Sequence, residues 1–541
     1  MRVAVIGAGA SGLTSVKECL DYGVTPVCLE KSHDLGGLWN YKETPIEGEA
    51  SIAKSTVINS SKEALSFSDF PPPAHLPMYM HNAGVYQYLR GYAREFGLEK
   101  YISFNCHVIS IQPTPDYDES GRWTVQWKNK TGTIEDSVFD AVMVCTGHHY
   151  DPYIPQFPGM EKFQGKLIHS REYKVPAGFE DKRVLVVGMG NTGGDIAVEL
   201  ARISSQVYVV CRSGNWVTTR LVRGGYPFDL VIMTWFVSLV QSYTSGFGNW
   251  FMETLFAAPI DHEFYGLKPS HRWQEQHIFV NDDLATRLAT GTLKLIRAGI
   301  KEFTESGVIL EDGRKLDVDC VILATGFNIT FPFLSQDILP VKDNEVSLYK
   351  YVFPTNLKHN TLSCIGLVQP VGPLFPIMEM QARLVLSALT GHIQLPTRAD
   401  MLRDVAKARA DYRRQFVSSR RHTIQANYSI YMYELARLVG VVPDYRALAF
   451  AHPWTLFRVI FSSVLSYEFR LNGLHAKPEL ARRLLSTTWE RTFAPLGTAR
   501  QVRARYLKPD SLIWYSLYIL SYPFFVLLLC WLLREIVGIL A

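Results

Sequence analysis

The feature that most constrains this chain is a strand-and-glycine turn that occurs twice. Val3-Ala-Val-Ile-Gly-Ala-Gly-Ala-Ser-Gly12 returns as Val184-Leu-Val-Val-Gly-Met-Gly-Asn-Thr-Gly193. A second segment, Asp140-Ala-Val-Met-Val-Cys-Thr-Gly147, returns almost the same distance along as Asp319-Cys-Val-Ile-Leu-Ala-Thr-Gly326. In each copy an apolar run of strand-forming residues meets Gly-x-Gly-x-x-Gly. In the first, Leu13, Val16 and Leu20 then follow at helical spacing. The first glycine of such a turn permits a tight bend, the second lets a pyrophosphate approach the backbone, and the third packs helix on strand. The helix beyond opens with free N–H groups and the positive end of its dipole. Two such units in succession predict an α/β fold with two Rossmann-like dinucleotide-binding domains.

The copies differ in what their next strand delivers. Pro26-Val-Cys-Leu29 ends at Glu30, an acid suited to ribose hydroxyls, with Gly36-Gly37-Leu38-Trp39 just beyond. This makes the first unit the FAD site, with Gly7, Gly9, Ala10, Ser11, Gly12, Glu30, Gly37, Leu38 and Trp39 as its candidate contacts. Gln206-Val-Tyr-Val-Val210 ends instead at Cys211-Arg212. A cation in place of the acid suits a 2′-phosphate, so the second site should take NADPH in preference to NADH. Its candidate contacts are Gly188, Gly190, Asn191, Thr192, Gly193 and Arg212. Together the two sites imply hydride transfer from a nicotinamide to a flavin.

The electrons must then leave the flavin. The eight cysteines, at 19, 28, 106, 145, 211, 320, 364 and 530, form no CxxC pair and no close cluster. No redox disulfide, iron–sulfur ligand set, haem attachment or metal site follows from them. By elimination, O2 is the expected acceptor. A net charge of +4 without basic clusters gives no reason to expect nucleic acid.

At 541 residues the chain exceeds one ordinary core. The expected division is 1–158 for the first part of the FAD domain and 159–326 for the NADPH domain, with an insertion at about 215–280. Residues 327–445 should return to the FAD domain, and 446–510 form a C-terminal helical region. Ser363-Cys-Ile-Gly-Leu-Val-Gln369 reads as a further buried strand and Glu379 to Leu389 as a helix. No basic segment and longer apolar run precede the first strand, so no secretory signal is expected. From Ser511 to Leu533 there is no charged residue, and Arg500, Arg503, Arg505 and Lys508 come just before it. That length and basic flank predict a transmembrane tail anchor at 511–533. The apolar runs at 230–240 and 250–256 leave surface contact with a membrane and ordinary packing equally open.

Further segments carry a family resemblance. Phe163-Gln-Gly165-Lys-Leu-Ile-His169-Ser-Arg-Glu-Tyr173 is similar to the FxGxxxHxxx(F/Y) signature of flavin-containing monooxygenases, and lies just before the second glycine turn. Asn59-Ser-Ser-Lys62, Phe67-Ser-Asp-Phe-Pro71, Gly190-Asn-Thr-Gly-Gly-Asp195, Asn281-Asp-Asp283 and Ala324-Thr-Gly-Phe327 resemble the same family, over nearly the whole chain. The hydrophobic tail resembles its microsomal vertebrate members. The resemblance implies an NADPH-dependent oxidoreductase in which O2 adds to reduced flavin as a C4a-hydroperoxide. That oxidant then oxygenates nitrogen or sulfur of small lipophilic substrates, giving N-oxides or S-oxides.

By the same resemblance Asn59 is the candidate catalytic residue, steadying the oxygenated flavin, with Ser60 beside it. Asn191 and Thr192 would meet flavin or nicotinamide, Thr325 and Gly326 would close the second site, and Gln369 would lie beside the flavin. His169 looks structural. The resemblance also implies an endoplasmic reticulum membrane location with the catalytic domains facing the cytosol; homo-oligomerisation is left open. Tyr173 replaces the Trp typical of Baeyer–Villiger monooxygenases, which favours heteroatom chemistry. Ketone-to-ester conversion remains a rival, as does an uncoupled oxidase releasing hydrogen peroxide.

Overall fold

The computed structural model describes residues 1–222, 224–238, 245–256, 260–417, 419–420 and 422–497. Two five-stranded parallel sheets organise it. In the first, the order is Leu362–Cys364, Ala141–Val144, Arg2–Ile6, Thr25–Glu30 and Ile102–Phe104. In the second it is Leu293–Arg297, Gln206–Cys211, Arg183–Val187, Cys320–Leu323 and Lys166–His169. In each, the central strand carries the glycine turn, between the strand ending in Glu30 or Cys211 and the strand leading to Thr-Gly.

These strands read as unbroken apolar runs because both faces are covered. Successive side chains point to opposite faces, and the core divides accordingly. Val3 and Val5 pack with Leu13 and Val16 of helix Ala10–Asp21 and with helix Phe375–Leu389. Ala4 and Ile6 pack with Trp123 and Val125 of an antiparallel three-stranded meander. The second unit repeats the arrangement. Val184 and Val186 meet Ile196 and Ala197 of helix Asn191–Leu200, while Leu185 and Val187 meet Phe303 and Val308 of a second meander.

The expected strand at 363–369 is shorter than its apolar composition suggests. Pairing with Ala141–Val144 ends at Cys364, because Gly366 turns the backbone to φ +82°. Gln369–Val371 then pairs with Gln425–Asn427 instead. The helix expected at Glu379 to Leu389 begins earlier, at Phe375.

The segment after 446 packs onto the first unit through a buried ionic cluster. Arg470 Nη2 lies 2.9 Å from Glu18 Oε1 and 3.0 Å from Glu379 Oε1, and its Nε donates to Ser68 Oγ. Lys17 Nζ reaches Glu18 at 3.0 Å and Asp69 at 2.7 Å, and Asp69 also takes Lys477 at 2.8 Å. Charges this deep persist only because each has opposite partners; removing one leaves a buried uncompensated charge costing about 3–5 kcal/mol. Leu230, in the insertion, packs with Val459, Leu465 and Leu484, and Thr234 bridges Ser463. Among the described residues no helix is long and apolar enough to cross a membrane. The expected anchor at 511–533 lies outside the described residues, as do 239–244 of the insertion.

Candidate functional site

The two glycine turns share one backbone bend and one hydrogen bond. Gly7 and Gly188 hold φ of +101° and +106°, and their N–H groups donate to Leu29 O and Val210 O at 2.8 and 2.9 Å. A Cβ on the third glycine would stand 1.8 Å from Gly7 O at Gly12, and 2.3 Å from Gly188 O at Gly193. Gly9 faces Gly37, which a Cβ would bring to 3.1 Å of the Gly9 Cα, whereas Gly190 opens onto free space. Gly36, donating from its N–H to Ala8 O, folds the Gly37–Trp39 turn over the first glycine loop. Leu38 and Trp39 are half-buried there, while Ala10 and Ser11 are buried, Ser11 donating to Cys145 O at 3.2 Å.

Neither helix that follows, Ala10–Asp21 nor Asn191–Leu200, has a side-chain cap at its start. Their first N–H groups and dipole ends are left for an anion. This cradle, which a Cβ would fill, fits a pyrophosphate on each unit.

Glu30 ends its strand buried. Its Oε2 accepts the Ala8 N–H at 2.6 Å, and Oε1 accepts the Ser32 N–H and hydroxyl. The carboxylate is thus oriented beside the first turn with acceptor capacity left for a ribose. Thr146, at the end of the neighbouring strand, has a buried hydroxyl without a partner. An orphan of this kind beside the glycine loop suits a ligand contact.

Its repeat counterpart is different. Thr325 donates to Tyr153 O at 2.5 Å, and Gly326 O meets His169 Nε2 at 3.1 Å. Both second-unit residues are engaged with the linker between units. His169 also accepts the Arg171 N–H, and burial holds its imidazole near 4, so it is neutral and structural. Tyr173, closing the same signature, donates to Glu199 at 2.8 Å.

Arg212 stands exposed just past the strand Gln206–Cys211. An unconstrained guanidinium at this edge could take a 2′-phosphate in a bidentate pair. Replacing it (Arg212→Ser) is expected to raise the KM for NADPH roughly ten-fold while leaving that for NADH within about two-fold. Initial rates with the two cofactors check this.

The units meet at Asn59. Its Nδ2 donates to Asn191 Oδ1 at 3.2 Å, and its Oδ1 accepts from Arg220 Nη2 at 2.8 Å. Asn191 Oδ1 also accepts the Val280 N–H at 2.9 Å. Arg220 is fixed in turn by Asp282, at 2.7 Å from its Nη1. Asn281 donates to Asp195, which burial raises to about 6. Ser60 lies half-buried beside Asn59, and Thr192 is exposed beside Asn191.

Gln369 brings a histidine group to this region: its Nε2 lies 3.5 Å from His149 Nε2. His148 and His149 stack edge to face at 4.2 Å. Burial, with the neighbouring charge of His277, lowers the His149 imidazole to about 4, although the residue is exposed to solvent. Burial also lowers His148 and His277. Arg220, Asp282, Asp195, Thr146 and these histidines were not among the residues expected to form the site. Thr146 had a sequence signal as the repeat partner of Thr325, and Asp195 and Asp282 lie in segments that carry the family resemblance. Among the described residues, no three His, Cys, Asp or Glu side chains group to hold a metal ion.

The model of the flavin-binding monooxygenase-like family matches residues 1–533. This chain belongs to that family. Flavin-containing monooxygenase 5 of Rattus norvegicus is 44% identical over 534 residues, spanning 98% of this chain and 99% of the relative. Flavin-containing monooxygenase 2 of Homo sapiens is 43% identical, over 92% and 93% of the two chains. Among solved structures, S-allyl-L-cysteine S-oxygenase from Allium sativum has a TM-score of 0.63 at 25% identity, covering 90% of this chain and 98% of the other. As a flavin-binding monooxygenase the chain is an oxidoreductase that uses FAD, NADPH and O2.

Proposed function

We propose that this flavin monooxygenase oxygenates nitrogen and sulfur atoms of small lipophilic amines and sulfides, giving N-oxides and S-oxides. The observation that carries the proposal is the Asn59 bridge, in which one amide joins the flavin-side unit to Asn191 and Arg220 on the nicotinamide side. Bound FAD supplies a centre that accepts hydride from NADPH and carries one atom of O2 to the substrate. The residues of this chain position and protect. Gly7, Gly9, Ala10, Ser11, Gly12 and Glu30 seat FAD with Gly37, Leu38 and Trp39; Gly188, Gly190, Asn191, Thr192, Gly193 and Arg212 seat NADPH. Asn59 offers an N–H donor and a carbonyl acceptor where the two meet, with Ser60, Thr325, Gly326 and Gln369 around it.

Burial lowers the His149 imidazole, so it is not itself an acid that would discharge the oxidant at neutral pH. A soft nucleophile needs none, because its lone pair takes the oxygen directly. The S-oxygenase name of the Allium relative agrees with sulfur as one target.

The division at 158, 326, 445 and 510 is part of the same proposal, as is a tail anchor at 511–533 holding the enzyme on the endoplasmic reticulum membrane. To test the chemistry, the FAD-loaded enzyme is given NADPH and 18O2 with one tertiary amine, one aryl methyl sulfide and one ketone. Singly labelled N-oxide and S-oxide are expected. Ester from the ketone alone would move the assignment to Baeyer–Villiger chemistry, and peroxide without organic product would make the enzyme an oxidase.

A further inference from the structure

The insertion grips the Asn59 segment at two points. Arg220 holds the Asn59 side chain, and Asp229, on the short helix Phe228–Ile232, holds the backbone two residues on. Asp229 is 3% exposed, and its Oδ2 accepts the Ser61 N–H at 2.6 Å. Ser61 precedes the helical turn Lys62–Leu65, which has no side-chain cap of its own. Oδ1 accepts the Leu230 N–H at 2.9 Å, and the Asp229 carbonyl takes the Ser463 hydroxyl. The Phe228 N–H donates to Arg220 O at 2.9 Å, and Tyr79 donates to the same oxygen at 2.5 Å, so the two grips form one unit. At the other end of the segment, the Ile58 N–H is tied to Met80 O at 3.0 Å.

We propose that Asp229 is a positioning residue for oxygen transfer: through Ser61 it fixes Asn59 between the two cofactor sites, and so keeps NADPH consumption coupled to substrate oxygenation. The assignment rests on the function proposed above. A buried carboxylate that accepts a backbone N–H binds it about twice as strongly as a neutral acceptor does. The grip therefore depends on charge. Burial raises Asp229 to about 6, so it is ionised at neutral pH and loses its charge as pH falls through that value. The titratable groups that feel its charge are Tyr79 and Tyr428, both pushed up by burial and uncharged throughout this range; Arg220 and Asp282 act on the same Tyr79, and Glu379 and Glu468, the latter raised by burial, on the same Tyr428. Lys62 and Glu63 turn elsewhere, Lys62 to Ala74 O and Leu76 O, Glu63 to Tyr467 and Arg491.

The experiment measures NADPH consumed, sulfoxide formed and peroxide released between pH 5.5 and 8.5, using FAD-loaded enzyme and an aryl methyl sulfide. In the wild type, sulfoxide per NADPH should drop as pH falls through about 6. Asp229→Asn, uncharged at every pH, should show the low acid-side coupling without the step. Asp229→Ala should lose roughly five-fold in coupling at neutral pH, with the KM for NADPH within about two-fold. A merely structural role would lower stability and FAD content but leave sulfoxide per NADPH unchanged, and that result overturns the proposal. A pH step that survives in Asp229→Asn also overturns it, assigning the step to Asp195 near Arg220, which titrates in the same range. Should Asp229→Ala lose its flavin, the Asp229→Asn profile decides alone. Wild-type enzyme that makes no sulfoxide would refute the proposed function itself; coupled wild type with equally coupled Asp229→Ala would refute only this assignment.

Discussion

Gly12→Ala is expected to purify without flavin. The added methyl would stand 1.8 Å from the carbonyl oxygen of Gly7, with nothing flexible to yield, because both atoms belong to the turn that forms the pyrophosphate cradle. Either the helix Ala10–Asp21 lifts from its strand or the loop unfolds, and each displaces the N–H groups that would face the phosphates. The corresponding change at Gly193 brings the methyl to 2.3 Å from Gly188 O and 2.9 Å from the Ala324 Cβ. Here FAD should stay and NADPH binding should fail. Flavin absorbance per chain and the rate of anaerobic flavin reduction by NADPH separate the two outcomes. Gly12→Ala should lose more than nine-tenths of its flavin, whereas Gly193→Ala should keep it and be reduced at least a hundred-fold more slowly. If either variant matched the wild type in its own readout, the corresponding turn would have no role in binding.

Asn59→Ala should still oxidise NADPH but stop oxygenating substrate. The substitution removes the contact to Asn191 at 3.2 Å and leaves Arg220, held at 2.8 Å by the Asn59 oxygen, with one fewer partner in a half-buried position. The glycine turns are untouched, so both cofactors should bind. Loss of a directed hydrogen-bond donor at a reaction centre costs about a hundred- to a thousand-fold. Sulfoxide per NADPH should therefore fall at least ten-fold, with hydrogen peroxide accounting for the difference. Retained coupling would remove Asn59 from the chemistry.

The parts of the molecule that were legible beforehand are those encoded locally. A glycine whose backbone must bend or touch its neighbour leaves a fixed spacing in the sequence, and the repeat supplied a second copy as a check. The strand-ending acid Glu30 and the cation Arg212 are likewise set by their distance from those glycines. The meanders were not legible. Their alternating runs, such as Trp123–Lys128, are short and half-exposed, and nothing local distinguishes them from loops. The bend at Gly366 was hidden because an apolar run that changes partner looks like one that does not. Arg220 and Asp282 were missed for a different reason. Arg220 has no local signature, and the Asn281-Asp-Asp283 segment carried the resemblance without showing what Asp282 touches, until the fold brings the two to 2.7 Å and Asn59 to Arg220. Contacts between units have no period and no spacing, so only the assembled structure reveals them.

The ionic cluster around Arg470 determines where this protein can be cut. Glu18 belongs to the helix that opens on the first glycine turn, and Arg470 belongs to the segment that leads toward the tail. The two are locked together with both side chains fully buried. A truncation before Arg470 would take away the guanidinium that Glu18 shares with Lys17 and that Glu379 faces, and so loosen the flavin domain itself. The helices that follow Arg470 are therefore part of the catalytic body.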